Sequence, residues 1–76
     1  MFSVRVVNDN QEGVSGIRVR LEFSGITRGM SDDAYTDDQG YAEFDGYDPG
    51  EVDVYVDGSN MGTYSYADGD SITITR

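Results

Sequence analysis

The sequence predicts an all-β protein that folds as a seven-strand antiparallel β-sandwich. Apolar residues recur at every second position in several short runs, so one face of each run is expected to be buried and the other exposed to solvent. Glycine-containing turn signals separate these runs at regular intervals. No segment has the period of an amphipathic helix, and helix content should be close to nil. A sandwich or a barrel is the economical fold for such a chain, and we expect a sandwich.

Two strands open the chain. The first is expected from Phe2 to Val7, with Val7 on the outer face and an inward face formed by Phe2, Val4 and Val6. Asn8 to Gly13 ends this strand, because Asn, Asp and Gly tolerate turn conformations. The second strand, Ile17 to Phe23, alternates most clearly. Its inward face consists of Ile17, Val19, Leu21 and Phe23.

The middle of the chain predicts two further strands and two turns. A short strand around Ala34 to Thr36 leads to a turn at Asp37 to Gly40, where glycine supplies the positive φ that a tight reversal often needs. The returning strand, Tyr41 to Asp45, points two apolar residues inward, Ala42 and Phe44. Gly46 to Gly50 contains the one proline of the chain and is expected to be the next turn.

The last third of the chain predicts three more strands. The first has an inward face formed by Val52, Val54 and Val56. Asp57 to Asn60 then closes a hairpin with the strand that follows. Thr63 to Ala67 and Ser71 to Thr75 complete the set, with a turn at Asp68 to Asp70 between them. The last predicted core residues are Ile72 and Ile74.

Length and composition argue against an enzyme. The 76 residues have room for one domain, residues 1–76, with a small core and no deep active site. His, Cys and Lys are all absent, so the usual nucleophile and base pairs are missing. A paired-carboxylate hydrolase would need a substrate cleft, which is hard to build from a chain of this size.

No signal peptide or membrane span is visible in the sequence. This favours a cytoplasmic or virion-type protein or a part of a larger one.

Charge is the second strong signal. The chain has 15 acidic residues and 5 arginines, which give a formal charge of −10. Nucleic acids and anionic membranes attract basic surfaces, so neither is an expected partner, and a basic protein is preferred. Arg18 and Arg20, on an outer face among acids, are expected to form exposed ion pairs. The lysine-free, aspartate-rich composition fits either adaptation to high salt or chance in a short chain.

Three segments carry a family resemblance: Gly13 to Leu21, Thr36 to Phe44 and Pro49 to Val54. They follow a valine-x-glycine-x-x-valine-x-leucine strand, a threonine-aspartate-x-x-glycine turn and a proline-glycine turn. This order resembles the carboxypeptidase regulatory-like domains. The resemblance implies an Ig-like or transthyretin-like (prealbumin-like) sandwich that serves as a spacer or interaction unit, without catalytic residues. The chain departs from that pattern in its long Ser24 to Asp33 loop.

The lead interpretation is a non-enzymatic structural or protein-interaction module that forms part of a larger assembly. Its strand edges are expected contact surfaces, because an unpaired edge can accept another strand. The Ser24 to Asp33 loop is the other, since binding residues concentrate on loops. Its candidate contact residues are Ile26, Arg28 and Met30.

The acidic turns offer an alternative, a calcium-stabilised surface domain. Calcium takes about six to eight oxygen ligands, which loops rich in Asp and Gly supply. If the strands run up and down, one end of the sandwich gathers Asp32, Asp33, Asp48, Asp68 and Asp70. The other end gathers Asp9, Asp37, Asp38 and Asp57. Aspartate is also a favoured turn residue, and no EF-hand-type loop with its closing Glu is present, so turn chemistry explains most of these acids without an ion.

Six tyrosines raise a further alternative, a carbohydrate-binding module. Tyr64 and Tyr66 share a strand face and would offer stacking surfaces to a sugar. Tyr55 is expected on the outer face of its strand. Tyrosine is also a common strand residue whose ring packs in a core, and β propensity alone accounts for these positions.

Overall fold

The computed structural model describes residues 1–23 and 33–76. These residues form seven β-strands and no helix, which confirms the all-β prediction and the strand count. The strands are β1 (Phe2–Val7), β2 (Arg18–Phe23), β3 (Ala34–Tyr35), β4 (Tyr41–Phe44), β5 (Gly50–Val56), β6 (Ser59–Tyr66) and β7 (Ser71–Thr75). Within this part of the chain, no helix is long and apolar enough to cross a membrane.

The strands form two sheets around one core. One sheet has three strands in the order β4-β1-β7, and the other has four in the order β3-β2-β5-β6. The chain crosses from one sheet to the other between β1 and β2, between β3 and β4, between β4 and β5, and between β6 and β7. The four-stranded sheet is therefore one strand wider than the sheet it faces.

One strand pair breaks the predicted antiparallel pattern. β1 and β7 run parallel, with Val4 opposite Ile72 and Val6 opposite Ile74. The chain reverses between consecutive strands, so all odd-numbered strands run in the same direction, and a pair formed by β1 and β7 has to be parallel. On its other side, β1 pairs antiparallel with β4. The prediction of a wholly antiparallel sandwich is wrong at this pair, because alternation says nothing about which strands become neighbours.

The core confirms most of the predicted inward faces. Its buried residues are Phe2, Val4, Val6, Val19, Leu21, Phe23, Ala42, Phe44, Val52, Val54, Val56, Tyr66 and Ile74. Burial of this apolar surface is the main favourable contribution to folding in so small a domain. Ile17 and Ile72 were also predicted to point inward, and both are partly buried against the margin of the core.

Val7 is buried although the alternation predicts an exposed residue. Its side chain is only 1% exposed. The loop after β1 returns to it, and Val7 forms an isolated bridge with Gly13. The Arg76 N–H also donates to the Val7 carbonyl at 2.8 Å. Chain segments on both sides of the strand end meet Val7, so its burial depends on tertiary contacts that the local pattern does not contain.

A buried threonine ties the two sheets together at one corner. Thr36, predicted as the last residue of a strand, instead follows β3 and is buried. Its hydroxyl donates to the Val14 carbonyl at 2.6 Å and accepts from the Ile17 N–H at 2.9 Å. Its own backbone N–H and carbonyl bond to Ile17 and Gly16. This one residue joins the β1–β2 loop to the start of the β3–β4 turn.

Candidate binding surfaces

One end of the sandwich carries acidic turns around the N terminus. The Met1 amino group contacts the Asp68 carboxylate and lies 3.9 Å from the Asp45 carboxylate. The Asp70 carbonyl accepts a hydrogen bond from the Ser3 N–H at 3.1 Å. The turns that follow β4 and β6 therefore meet at the same end, as an up-and-down strand order requires. The N-terminal charge offsets part of their negative charge.

The predicted calcium ligands at this end are not gathered into a metal site by the described residues. Across residues 1–23 and 33–76, no group of three or more His, Cys, Asp and Glu side chains lies close enough together to hold a metal ion. The described residues include four of the predicted ligands, Asp33, Asp48, Asp68 and Asp70, and Asp68 already contacts the N terminus. Asp32 lies outside the described residues.

At the other end, Asp37 organises the turn between β3 and β4. Its carboxylate accepts hydrogen bonds from the backbone N–H groups of Gln39 and Tyr41 at 2.9 and 3.0 Å. The bonds from Tyr41 and Gln39 hold the pKa of Asp37 below its ordinary value, against a smaller opposing effect of desolvation. Asp57 forms an ion pair with Arg76 at 3.0 Å. The remaining acids predicted at this end are exposed: Asp9 and Asp38.

Tyr66 lies inside the core. Its side chain is 2% exposed, and its ring centroid lies 4.9 Å from that of Phe2 and 5.7 Å from that of Phe23. The ring is therefore not available to stack on a sugar, which corrects the carbohydrate-binding role predicted for it. Tyr64 is half-buried, and its hydroxyl donates to the Met61 carbonyl at 3.3 Å. The two tyrosines pack on the core side of β6.

Other tyrosines lie on the outer faces of the two sheets, where arginines cover two of them. The guanidinium carbon of Arg5 lies 5.4 Å from the ring centroid of Tyr41, and that of Arg20 lies 5.7 Å from Tyr55. Each arginine is directly opposite its tyrosine on a neighbouring strand. Tyr35, on β3, is 64% exposed. Cation–π contacts of this kind are missed by a sequence-based analysis because they depend on the strand register.

The ion pairs predicted for Arg18 and Arg20 do not form within the described part of the chain. There, the ion pairs involve the N terminus and Arg76. Arg20 stacks on Tyr55 instead, and its Nε is buried without a hydrogen-bond partner.

The predicted protein contacts divide between a loop and the strand edges. Ile26, Arg28 and Met30 lie outside the described residues and stay predictions. The edges are described: β4 and β7 border the three-stranded sheet, and β3 and β6 border the four-stranded sheet. An edge strand presents backbone N–H and C=O groups that another chain can pair with. Of the two predicted contact surfaces, the strand edges are therefore the one that the described residues include.

The edge strand β6 is irregular and partly closed by its own side chains. The pairing with β5 shifts register between Asp53 and Tyr55, and Gly62 has a φ of +114°. The Gly62 N–H donates to Asn60 Oδ1 at 2.8 Å, and the Met61 carbonyl accepts the Tyr64 hydroxyl. Bulges and side-chain bonds of this kind protect an edge from pairing with another strand.

Comparison with known proteins adds no relative to these observations. No family model, no curated protein and no solved structure matches the chain.

Proposed function

We propose that this chain is a non-enzymatic protein-interaction module that binds an extended, basic segment of a partner and works as part of a larger assembly. The observation that carries the proposal is an acidic surface with little internal neutralisation, next to open sheet edges. The whole chain has 15 acids and 5 arginines. Such a surface accelerates association with basic partners and repels acidic ones.

The described arginines leave most of this negative charge exposed. Arg5 and Arg20 stack on tyrosines, and Arg76 pairs with Asp57. Acids that are exposed on strands and turns include Asp9, Glu12, Asp38, Glu43, Glu51 and Asp70. A partner that brings lysine or arginine side chains would supply the cations that these acids lack.

Two matched peptide libraries test this function. Both contain extended peptides with the same alternating apolar residues, and the other positions hold arginine and lysine in one library and aspartate and glutamate in the other. We expect binding from the basic library only, and we expect it to weaken as salt is raised from low to physiological concentration. Binding measured by fluorescence anisotropy that is absent in both libraries, or equal in both, would contradict the proposal.

We also propose that the fold is of the transthyretin-like type and that the chain is related to the carboxypeptidase regulatory-like domains. The seven strands in two sheets support this, and so does the structural use of the motif residues Thr36 and Asp37 at the corner and turn after β3. An experimental structure tests it: the strands should superpose in order on such a domain, and a different strand order would exclude the relationship.

A further inference from the structure

We propose that the outer edge of β7 is the docking edge, and that its occupant is an extended segment of a basic partner that pairs antiparallel with β7. The inference rests on the proposed protein-binding function and specifies its surface and the pattern of the partner. Four properties of β7 support it: its free backbone groups, its lack of protection, the half-covered core beside it and the charge at its start.

The first property is the direction of the β7 backbone groups. The Ser3 N–H donates to the Asp70 carbonyl at 3.1 Å, and the Arg76 N–H donates to the Val7 carbonyl at 2.8 Å. Alternate residues of a strand bond to the same neighbour, so the even-numbered residues of β7 bond to β1. The N–H and C=O groups of the odd-numbered residues therefore point away from the sheet. These residues are Ser71, Thr73 and Thr75.

The second property is the absence of protective features. Natural edges carry charges, prolines, bulges or a very short strand. β3 has two residues, β4 includes Glu43, and β6 has its bulge and side-chain bonds. β7 is a regular five-residue strand of Ser, Ile and Thr without charge, glycine or positive φ. Among the described edges it is therefore the best suited to accept a strand.

The third property is a half-covered flank of the core beside β7. A sheet of three strands faces a sheet of four, and the chain crosses from β6 to β7 on this side. Met61 and Tyr64 of β6 and Ile72 of β7 pack against the core but are only partly buried. A fourth strand beside β7 would make the two sheets equal in width and place side chains over this flank. The partner strand should therefore have an apolar residue at every second position.

The fourth property is the charge around the ends of β7. The exposed residues Asp68 and Asp70 lie at its start, with Asp68 in contact with the Met1 amino group, and Arg76, at its end, pairs with Asp57. Antiparallel pairs are slightly more stable per residue than parallel ones. In an antiparallel partner, the C-terminal end of the strand lies beside Asp68 and Asp70, and basic residues belong there. A second copy of this chain is a poor occupant, because each copy carries a charge of −10.

A synthetic peptide with selective N-methylation tests the inference. The peptide has about seven residues, enough to span β7, with valine and threonine alternating and arginine replacing the last two threonines. In an antiparallel pair, residues that lie opposite each other have their side chains on the same face of the sheet. The peptide's Thr and Arg residues lie on the outer face, opposite Ser71, Thr73 and Thr75. Their backbone groups therefore form the hydrogen bonds to the free N–H and C=O groups of β7. N-methylation of those residues should weaken binding at least about tenfold, whereas N-methylation of the valines should leave it within about twofold. The reverse pattern would indicate parallel pairing and would contradict the antiparallel model.

Two variants of β7 provide the matching test on the protein. Thr73→Pro removes an N–H that faces the free edge and leaves the ladder to β1 intact, whereas Thr73→Ala keeps that N–H. We expect the proline variant to bind the peptide at least about tenfold more weakly and the alanine variant to bind normally. The N-methylated peptides give the same information should the proline variant not fold.

Amide hydrogen exchange then locates the bound peptide and separates the two proposals. Protection should rise at Ser71, Thr73 and Thr75. A basic peptide that binds but protects β6 or a sheet face instead would overturn docking at β7 while leaving the protein-binding function intact. Failure of every basic peptide would overturn both. Dimerisation through β7, detected by sedimentation and by the same protection pattern without peptide, would overturn the choice of occupant.

Discussion

Gly13 and Gly40 lie against each other with no space for a side chain on either. A Cβ atom on Gly40 would lie 2.8 Å from the Gly13 Cα and 2.5 Å from the Val6 carbonyl oxygen. A Cβ on Gly13 would overlap the Gln39 carbonyl. This backbone contact brings the β1–β2 loop onto the β3–β4 turn, where it covers the end of β1.

The contact predicts that Gly40→Ala destabilises the fold more than Gly16→Ala. Both glycines have positive φ, +88° and +73°, but only Gly40 has neighbours within reach of a Cβ. An alanine held at positive φ lowers the free energy of unfolding by about 1–2 kcal/mol at either position. At Gly40, the overlap of the new Cβ with its neighbours lowers it by about 1–3 kcal/mol more. Urea unfolding with a comparison of midpoints at constant m-value measures both variants. Equal losses of stability in the two variants would show that the backbone contact between Gly13 and Gly40 does not contribute to the cost of a Cβ at Gly40.

The corner threonine leads to a second prediction. Thr36→Val removes a hydroxyl that serves both the Val14 carbonyl and the Ile17 N–H, and should lower the free energy of unfolding by about 2 kcal/mol. Thr36→Ser keeps the hydroxyl and is the control, with a smaller loss from the missing methyl group. Comparison of the two variants in denaturant isolates the polar contribution. A valine variant as stable as the serine variant would assign the role of Thr36 to packing alone.

Local periodicity explains why much of the core is predictable. The two-residue period of a strand places Val19 and Leu21 on one face whatever lies beyond the strand, and burial of that face decides its direction. Val7 departs from the pattern in being buried, and the bridge to Gly13 and the bond from the Arg76 N–H bring distant parts of the chain to its backbone. The parallel pairing of β1 with β7 is likewise absent from any local window, since it joins the two ends of the chain.

The binding surfaces are less predictable because they depend on neighbours. Tyr64 and Tyr66 share a strand face, but the sequence does not say that this face meets the core. The alternation of residues also does not distinguish the edge of β6 from the edge of β7, although side-chain hydrogen bonds of Asn60 and Tyr64 occupy part of the backbone of β6. The stacking of Arg20 on Tyr55 requires the register of β2 against β5, which only the assembled sheet provides.

A double-mutant cycle on Arg20 and Tyr55 should measure that stacking. Arg20→Gln and Tyr55→Leu each remove one partner, and we expect a coupling energy of about 0.5–1 kcal/mol. Arg18 and Tyr35 are the control pair, because they are also directly opposite on neighbouring strands but form no cation–π contact. Their coupling should be close to zero. A similar coupling energy in both pairs would show that the Arg20–Tyr55 coupling comes from cross-strand proximity and not from the cation–π contact.

The net charge of −10 predicts that added salt stabilises the protein, because screening reduces repulsion among its acids. Thermal unfolding in sodium chloride should show a rising midpoint. Calcium chloride at matched ionic strength separates screening from site binding. An extra shift of several degrees at submillimolar calcium, abolished by chelator, would assign the calcium site predicted around Asp68 and Asp70. Equal shifts in the two salts would leave screening as the cause.

The hydrogen bonds of Asp37 predict a specific loss of stability in acid. They lower its pKa in the folded state, so the stability they contribute is complete above the unfolded-state pKa of about 4 and is lost as pH falls through the lower folded-state pKa. Protonation of other acids relieves the overall repulsion and acts in the opposite direction. The informative quantity is therefore the difference between wild type and Asp37→Asn, which should shrink below about pH 4.

Asp38→Asn is the matched control for this prediction, because it removes the same charge one residue away. The Asp38 carboxylate accepts no hydrogen bond among the described residues, in contrast to that of Asp37, which holds the N–H groups of Gln39 and Tyr41. Urea unfolding at a series of pH values gives the free energies for all three proteins. The wild-type advantage over Asp37→Asn should decrease in acid, and the difference from Asp38→Asn should not follow that course. Parallel curves for the two variants would mean that charge, and not the turn geometry, sets the acid response.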